Sequence, residues 1–345
     1  MQSLTAPASK DELTNEWLQS VLAHSLVSMT GQPRLTRIGE AYGFASQLFR
    51  CRWQAEGSPN SVVVKLWATD SKAGTGEIRF YETFGQAVGC RIPLCYHAAA
   101  DPNTQRGVLV LEDLQDAVQG DCLELLNLDR AKSVARSLAG LHTTWLEHTE
   151  LAEFPWLPES SHWTLSSEWF QSRRNLFLER FGKTFDGVAE ALLAKLELAP
   201  KLVNEHLTSA PRTLLHGDFH LDNIMFERQT EPVLLDWSRP IKGPLVLNLA
   251  KLLFAMTPLQ NFDEVLTHYL ETFNSKTRKP LSSTDIEKQL GGAFLRKFTL
   301  STLAMVRSQM PPPRGPQLLE MGFKQASQAA DFWYERDPEL FSFLD

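Results

Sequence analysis

The stretch that most constrains this chain is Leu214-Leu215-His216-Gly217-Asp218-Phe219-His220-Leu221-Asp222-Asn223-Ile224-Met225-Phe226, followed by Val233-Leu234-Leu235-Asp236-Trp237. Each half is an apolar run that delivers polar residues at its end. Leu214-Leu215 brings in Asp218, while Ile224-Met225-Phe226 and Val233-Leu234-Leu235 read as two short buried strands joined by a polar turn. The outcome is a carboxylate, an amide five positions later and a second carboxylate thirteen positions after that. Phosphoryl transfer uses such a set, with one carboxylate for the proton of an acceptor hydroxyl and an amide and carboxylate for magnesium. Magnesium is a hard cation that takes oxygen ligands, few of them from protein.

On His216-Gly217-Asp218 with Asn223, then Leu235-Asp236-Trp237, the chain resembles the aminoglycoside phosphotransferase/choline kinase family, small-molecule relatives of protein kinases. The resemblance implies an α+β, two-lobed protein-kinase-like fold that uses ATP and Mg2+. A nucleotide-binding sheet lobe would run over 1–113, and a larger helical lobe that binds the acceptor over 114–345. It makes Asp218 the catalytic base, Asn223 and Asp236 the metal ligands, and a small hydroxyl-bearing molecule the acceptor. Two other classes stay open. One is a kinase-fold binding module with weak or no turnover. The other is a metal-dependent hydrolase, because His216, Asp218, His220 and Asp222 alternate as zinc ligands can, although zinc leaves Asn223 and Asp236 unexplained.

Composition narrows the partners. The chain has 345 residues, 43% apolar and 22% charged, enough for a large core. Its net charge of −7 argues against nucleic acid, whose phosphates call for a basic face. No apolar run approaches the roughly 20 residues of a membrane span, and residues 1–16 lack the apolar core of a secretory signal. Cys51, Cys90, Cys95 and Cys122 show no paired metal spacing, which suits reduced thiols in a cytoplasmic protein. The oligomeric state is not legible.

Along the chain, Leu13, Trp17, Leu18, Val21 and Leu22 recur at helical steps, and Gly31-Gln32-Pro33 ends the pattern. Residues 48–53 and the β-branched Ser61-Val62-Val63-Val64-Lys65-Leu66-Trp67 read as antiparallel strands. Between the first two strands lies Gly39-Glu40-Ala41-Tyr42-Gly43-Phe44-Ala45-Ser46, whose small residues allow backbone amides to approach phosphate oxygens, with Gly43, Ala45 and Ser46 as candidates. It is neither GxGxxG nor a P-loop. Lys65 within an apolar strand is costly unless paired. A snorkelling surface lysine is one reading; the other pairs it with an acid on the next helix and holds its ammonium on nucleotide phosphates. The family resemblance, a glutamate before a Phe-Tyr pair, selects Glu77 over Glu82. The stripe of Ile78, Tyr81 and Phe84 beside it reads as packing.

The run Val108-Leu109-Val110-Leu111 is buried and ends in Glu112-Asp113. It resembles the family's hinge, which implies adenine contacts from the backbone of Glu112, Asp113 and Leu114. Beyond it, residues 123–128 and 131–148 carry helical periodicity, with Asp129 as an N-cap. His142 on an apolar face reads as a core histidine. The aromatic-rich 151–175 stretch, with Trp163 and Trp169, reads as a packed insertion or an aromatic wall for the acceptor. After Asp236 the chain departs from protein kinases. Trp237 and Ser238 replace Phe-Gly, and the short Arg239-to-Pro244 segment runs into a helix over 245–256, leaving no room for a peptide-binding segment. The family's aspartate before Leu-Ala is Asn248 here. Amphipathic helices around 262–273, 283–307 and 316–334 complete the expected helical lobe.

Overall fold

The structure is a computed structural model that describes residues 6–7, 9–23, 29–39, 46–54, 60–67, 72–101, 104, 106–160, 167–306 and 314–344. In chain order the strands are β1 (Thr30–Ile38), β2 (Gln47–Gln54), β3 (Ser61–Trp67), β4 (Cys95–Asp101), β5 (Arg106–Glu112), β6 (Val118–Gln119), β7 (Arg212–Leu215), β8 (Ile224–Glu227), β9 (Glu231–Leu234) and β10 (Ile241–Pro244). The helices are α1 (Asn15–Leu22), α2 (Lys72–Thr83), α3 (Leu128–Thr144), α4 (Ser167–Phe181), α5 (Gly187–Ala194), α6 (Ala199–Leu207), α7 (Val246–Lys251), α8 (Phe262–Lys276), α9 (Ser283–Met305) and α10 (Arg314–Arg336). They form two compact units. One comprises Met1–Gln119 with His216–Asp218 and Asp222–Pro240, the other Gly120–Leu215 with Phe219–Leu221 and Ile241–Asp345.

The first unit is built on an antiparallel sheet of order β1-β2-β3-β5-β4. Alternation sends Phe49, Cys51 and Trp53 of β2 and Val62, Val64 and Leu66 of β3 to one face, where Leu18, Val21 and Leu22 of α1 cover them. Thr14 caps α1, its hydroxyl accepting the Trp17 N–H at 3.2 Å. The same period turns Val63 and Lys65 to the opposite face. Gly31-Gln32-Pro33 does not end a helix; it lies inside β1, at a register shift between Thr30 and Arg34. Proline is tolerated there because β1 is an edge strand. The hairpin β8–β9, with β6 alongside, forms the unit's second sheet.

In the second unit α3 packs on α8, α6 and α7 on α9, and α10 on α5. Phe177, Phe185, Phe298 and Phe323 form one aromatic cluster; Phe254, Phe262, Phe294 and Trp333 form another. β7 and β10 pair antiparallel. Residues 123–127 are not helical, because their hydrogen bonds go elsewhere. Leu123 N–H donates to Asp121 Oδ1 at 2.9 Å, and Leu126 N–H to Met256 O at 2.7 Å. The N-cap of α3 is Asn127 rather than Asp129, its amide oxygen accepting Arg130 N–H at 2.9 Å. The helix after the second carboxylate is also shorter than its periodicity suggests; α7 stops at Lys251 and a π-helical turn, Leu252–Met256, follows. No described helix is long and apolar enough to cross a membrane. The architecture is α+β, with an antiparallel sheet in one unit and mostly helices in the other.

Candidate active site

Lys65 is central to the first unit. Its Nζ lies 2.6 Å from Glu77 Oε2 and 3.5 Å from Asp236 Oδ1, with side-chain exposures of 9% for the lysine and 1% for the glutamate. Glu82, later on α2, is exposed. Burial alone lowers the Lys65 pKa, but Glu77 and Asp236 outweigh it, so the ammonium is raised and stays charged. Burial pushes the Glu77 carboxyl up to about 7, against the pull of Lys65. Burial also opposes the charge on Asp236, yet Lys65 and a bond to Ser238 hold its pKa below the usual value.

Asp236 and Asn223 are set by the β8–β9 hairpin. Asn223 immediately precedes β8, its Nδ2 donating to the Asp218 carbonyl at 2.9 Å, and Leu235 N–H returns a 2.8 Å bond to Asn223 O. Asp236 has φ +55, a left-handed conformation that is strained for a residue with a side chain. Its Oδ1 is buried without a hydrogen-bond partner. Ionised and 3.5 Å from the Lys65 ammonium, this carboxylate oxygen is of the kind a hard, oxygen-seeking cation takes. His216 is fully buried and donates from Nε2 to Leu235 O at 2.6 Å, tying the Asp218 turn to the strand end before Asp236. Gly217, at φ +78, has no alternative, since a Cβ there would stand 1.6 Å from Arg239 O.

A cavity of about 350 Å³ opens within this unit. Lys65, Glu77, Asp222, Asn223 and Asp236 line its polar part, with Ser46 on the strand side and Glu112, Asp113 and Leu114 along another wall. Gly43 and Ala45 lie outside the described residues, as does Trp163. The side chains of the two strand-ending acids are engaged with protein. Glu112 binds Arg91 at 2.8 Å, and Asp113 takes Arg50 Nε at 2.9 Å and Ser61 Oγ at 2.6 Å. The Glu112 N–H also donates to Leu94 O at 2.8 Å, and Asp113 O accepts Gln115 N–H at 2.9 Å.

Three features of the site were not legible. Trp237 stacks on Phe80 of α2, with centroids 4.1 Å apart and rings 7° from parallel. Gly76 of α2 sits where a Cβ would strike Ser238 O at 2.6 Å. Tyr81 lines the cavity with its hydroxyl buried and unpaired among the described residues, so its polarity within an apolar stripe was the available signal. In the other unit, His220 Nδ1 lies 3.6 Å from Cys122 Sγ. There too His142 is buried, 2.8 Å from Tyr269 Oη, and burial drives its pKa down to about 3, with the Asn248 amide beside it opposing in part.

Comparison with known proteins bears on the fold and the family. A protein from Ralstonia eutropha assigned as an aminoglycoside phosphotransferase shares the fold at TM-score 0.58 and 15% identity, over 93% of this chain and 97% of that one. Spectinomycin phosphotransferase aligns at TM-score 0.55 and 12% identity, over 92% and 98%. Choline kinase from Streptococcus pneumoniae aligns at 0.51 and 13%, over 91% and 98%. These likenesses make the fold protein-kinase-like. No curated protein matches the chain by sequence. The profile of the phosphotransferase enzyme family matches residues 43–281, a span that takes in Lys65, Glu77, Asp218, Asn223 and Asp236, and the chain belongs to that family.

Proposed function

We propose that this chain is an ATP- and magnesium-dependent phosphotransferase that moves the γ-phosphate of ATP to a hydroxyl of a small molecule. The observation that carries the reading is the Lys65 ammonium held between Glu77 and Asp236 in a cavity that Asn223 also lines. Lys65 binds nucleotide phosphate oxygens, Glu77 fixes its direction, and Ser46 with the Gly43 and Ala45 amides covers the phosphates. The Glu112–Leu114 backbone binds the base edge. Asn223 and Asp236 hold Mg2+, which neutralises phosphate charge when bound. Asp218 orients the acceptor hydroxyl and takes its proton, a task of positioning because a loose transition state asks little of a base. The nucleotide-binding lobe through residue 113 and the acceptor-binding lobe from 114 are part of this proposal.

The acceptor is a small molecule, since few residues separate Asp236 from β10 at Ile241. The spectinomycin, choline and aminopropanol enzymes of like fold suggest testing amino alcohols and aminocyclitols first. The hydrolase reading built on His216 and His220 leaves the Lys65–Glu77–Asp236 set without a use. Cys51, Cys90, Cys95 and Cys122 form no disulfide, which fits a cytoplasmic location.

The test is acceptor-dependent ADP release with Mg2+ across a panel of hydroxylated small molecules, for the native chain and Asp218→Ala. Turnover that disappears in the variant while ADP still binds is the expected result. An active Asp218→Ala protein overturns the assignment.

A further inference from the structure

The β8–β9 hairpin that presents Asn223 and Asp236 is short, with four paired positions. Its turn places Arg228 and Gln229 at φ +46 and +72, conformations that side chains adopt at a cost. A ribbon of this size does not hold its own geometry in water. β6 supports it from one side through two pairs, His216 bonds its end at Leu235 O, and one further residue outside the sheet bonds to both of its strands.

That residue is Arg91, in the connection before β4. Its carbonyl accepts Leu234 N–H at 2.9 Å, at the end of β9, two positions before Asp236. Its Nη2 lies 2.9 Å from Glu227 Oε1, at the far end of β8. The same Nη2 lies 2.8 Å from Glu112 Oε1, and Glu112 Oε2 accepts Leu94 N–H at 3.0 Å. Arg91 Nη1 also donates to Ile92 O. The guanidinium thus joins the end of β5, where the base edge would bind, to Glu227 at the turn end of the hairpin, while the backbone carbonyl of the same residue holds Leu234 at the other end. Arginine's planar fork lets Nη2 face both carboxylates while Nη1 stays on Ile92 O; lysine offers one nitrogen on a flexible stem and holds no such fixed pair of directions.

We propose that Arg91 is a positioning residue for the metal ligands: by clamping Glu227 and Leu234 to Glu112, it sets where Asn223 and Asp236 stand relative to the bound nucleotide. This inference rests on the phosphotransferase reading above. Partly exposed ion pairs contribute little to stability, so a clamp and an ordinary surface pair differ in what their loss changes. Loss of the clamp weakens the metal's contribution to nucleotide binding; loss of a surface pair leaves it alone.

The test is ADP binding by calorimetry on the full chain, with and without Mg2+, for the native protein, Glu227→Gln and Arg91→Lys, alongside thermal midpoints. The expected result is that the tightening of ADP by Mg2+ shrinks about tenfold in both variants, the low end of what loss of an outer partner costs a metal site. ADP affinity without Mg2+ should hold in Glu227→Gln. An undiminished Mg2+ effect in Glu227→Gln overturns the inference, whatever Arg91→Lys does to folding. If the native chain binds no ADP in either condition, the phosphotransferase reading itself fails and this inference with it.

Discussion

At the scale of single residues, the Lys65–Glu77 pair shows how function and stability are coupled. Removing one partner of a buried ion pair strands the other, at a cost of about 3–5 kcal/mol. Lys65→Met is therefore expected to lower the unfolding free energy measured in urea by that order and abolish phosphotransfer. Adding Glu77→Gln should restore much of the stability and none of the activity. A double variant no more stable than Lys65→Met would show that Glu77 is not the stranded charge. Gly217→Ala should cost more than about 2 kcal/mol, since φ +78 and the nearby Arg239 carbonyl both oppose a side chain; a denaturation curve matching the native one would contradict this. Lys65 could be picked out as a charge inside an apolar strand, and Asp218, Asn223 and Asp236 as polar residues delivered by apolar runs in a motif that carries the family resemblance. Gly217's close approach could not, because Arg239 reaches it only through the fold.

At the scale of elements, the sheet was readable because alternation and β-branching act locally. The helix boundaries were less so. Residues 123–127 carry helical periodicity, but Asp121 and Met256 take their N–H groups, so tertiary hydrogen bonding overrides the pattern. The start of α3 moved with them, to Asn127. Asn127→Ala should cost about 1 kcal/mol through the lost cap and leave turnover nearly intact, as paired unfolding and activity assays would show. Trp237 packs between Phe80 and His216, at centroid distances of 4.1 Å and 4.4 Å. Trp237→Ala is expected to cost about 3–5 kcal/mol and to lower activity through the displaced Asp236. Trp237→Phe should retain most of both; equal losses in the two would mean that ring stacking is not what holds this segment.

For the molecule as a whole, pH dependence follows from buried groups. His142 titrates near 3 in the fold against about 6.5 when unfolded. The unfolded chain therefore takes up the proton first as pH falls. The contribution is complete above about 6.5 and is lost progressively toward 3, with a limiting slope of about 1.4 kcal/mol per pH unit. Between pH 7 and 5, His142→Leu should lose about 2 kcal/mol less stability than the native chain in parallel urea titrations; equal losses would mean that His142 is not buried neutral. By itself the sequence determined the alternating strands and many of the helices, because short-range periodicity is written locally, and its motif residues carried the family resemblance that implied the α+β, kinase-like class. Only the tertiary structure decided that Lys65 meets both Glu77 and Asp236, that Trp237 seats on Phe80, and that Arg91 ties Glu112 to the β8–β9 hairpin. Those contacts join positions far apart in the chain, and their geometry depends on how strands and helices pack, which no local pattern encodes.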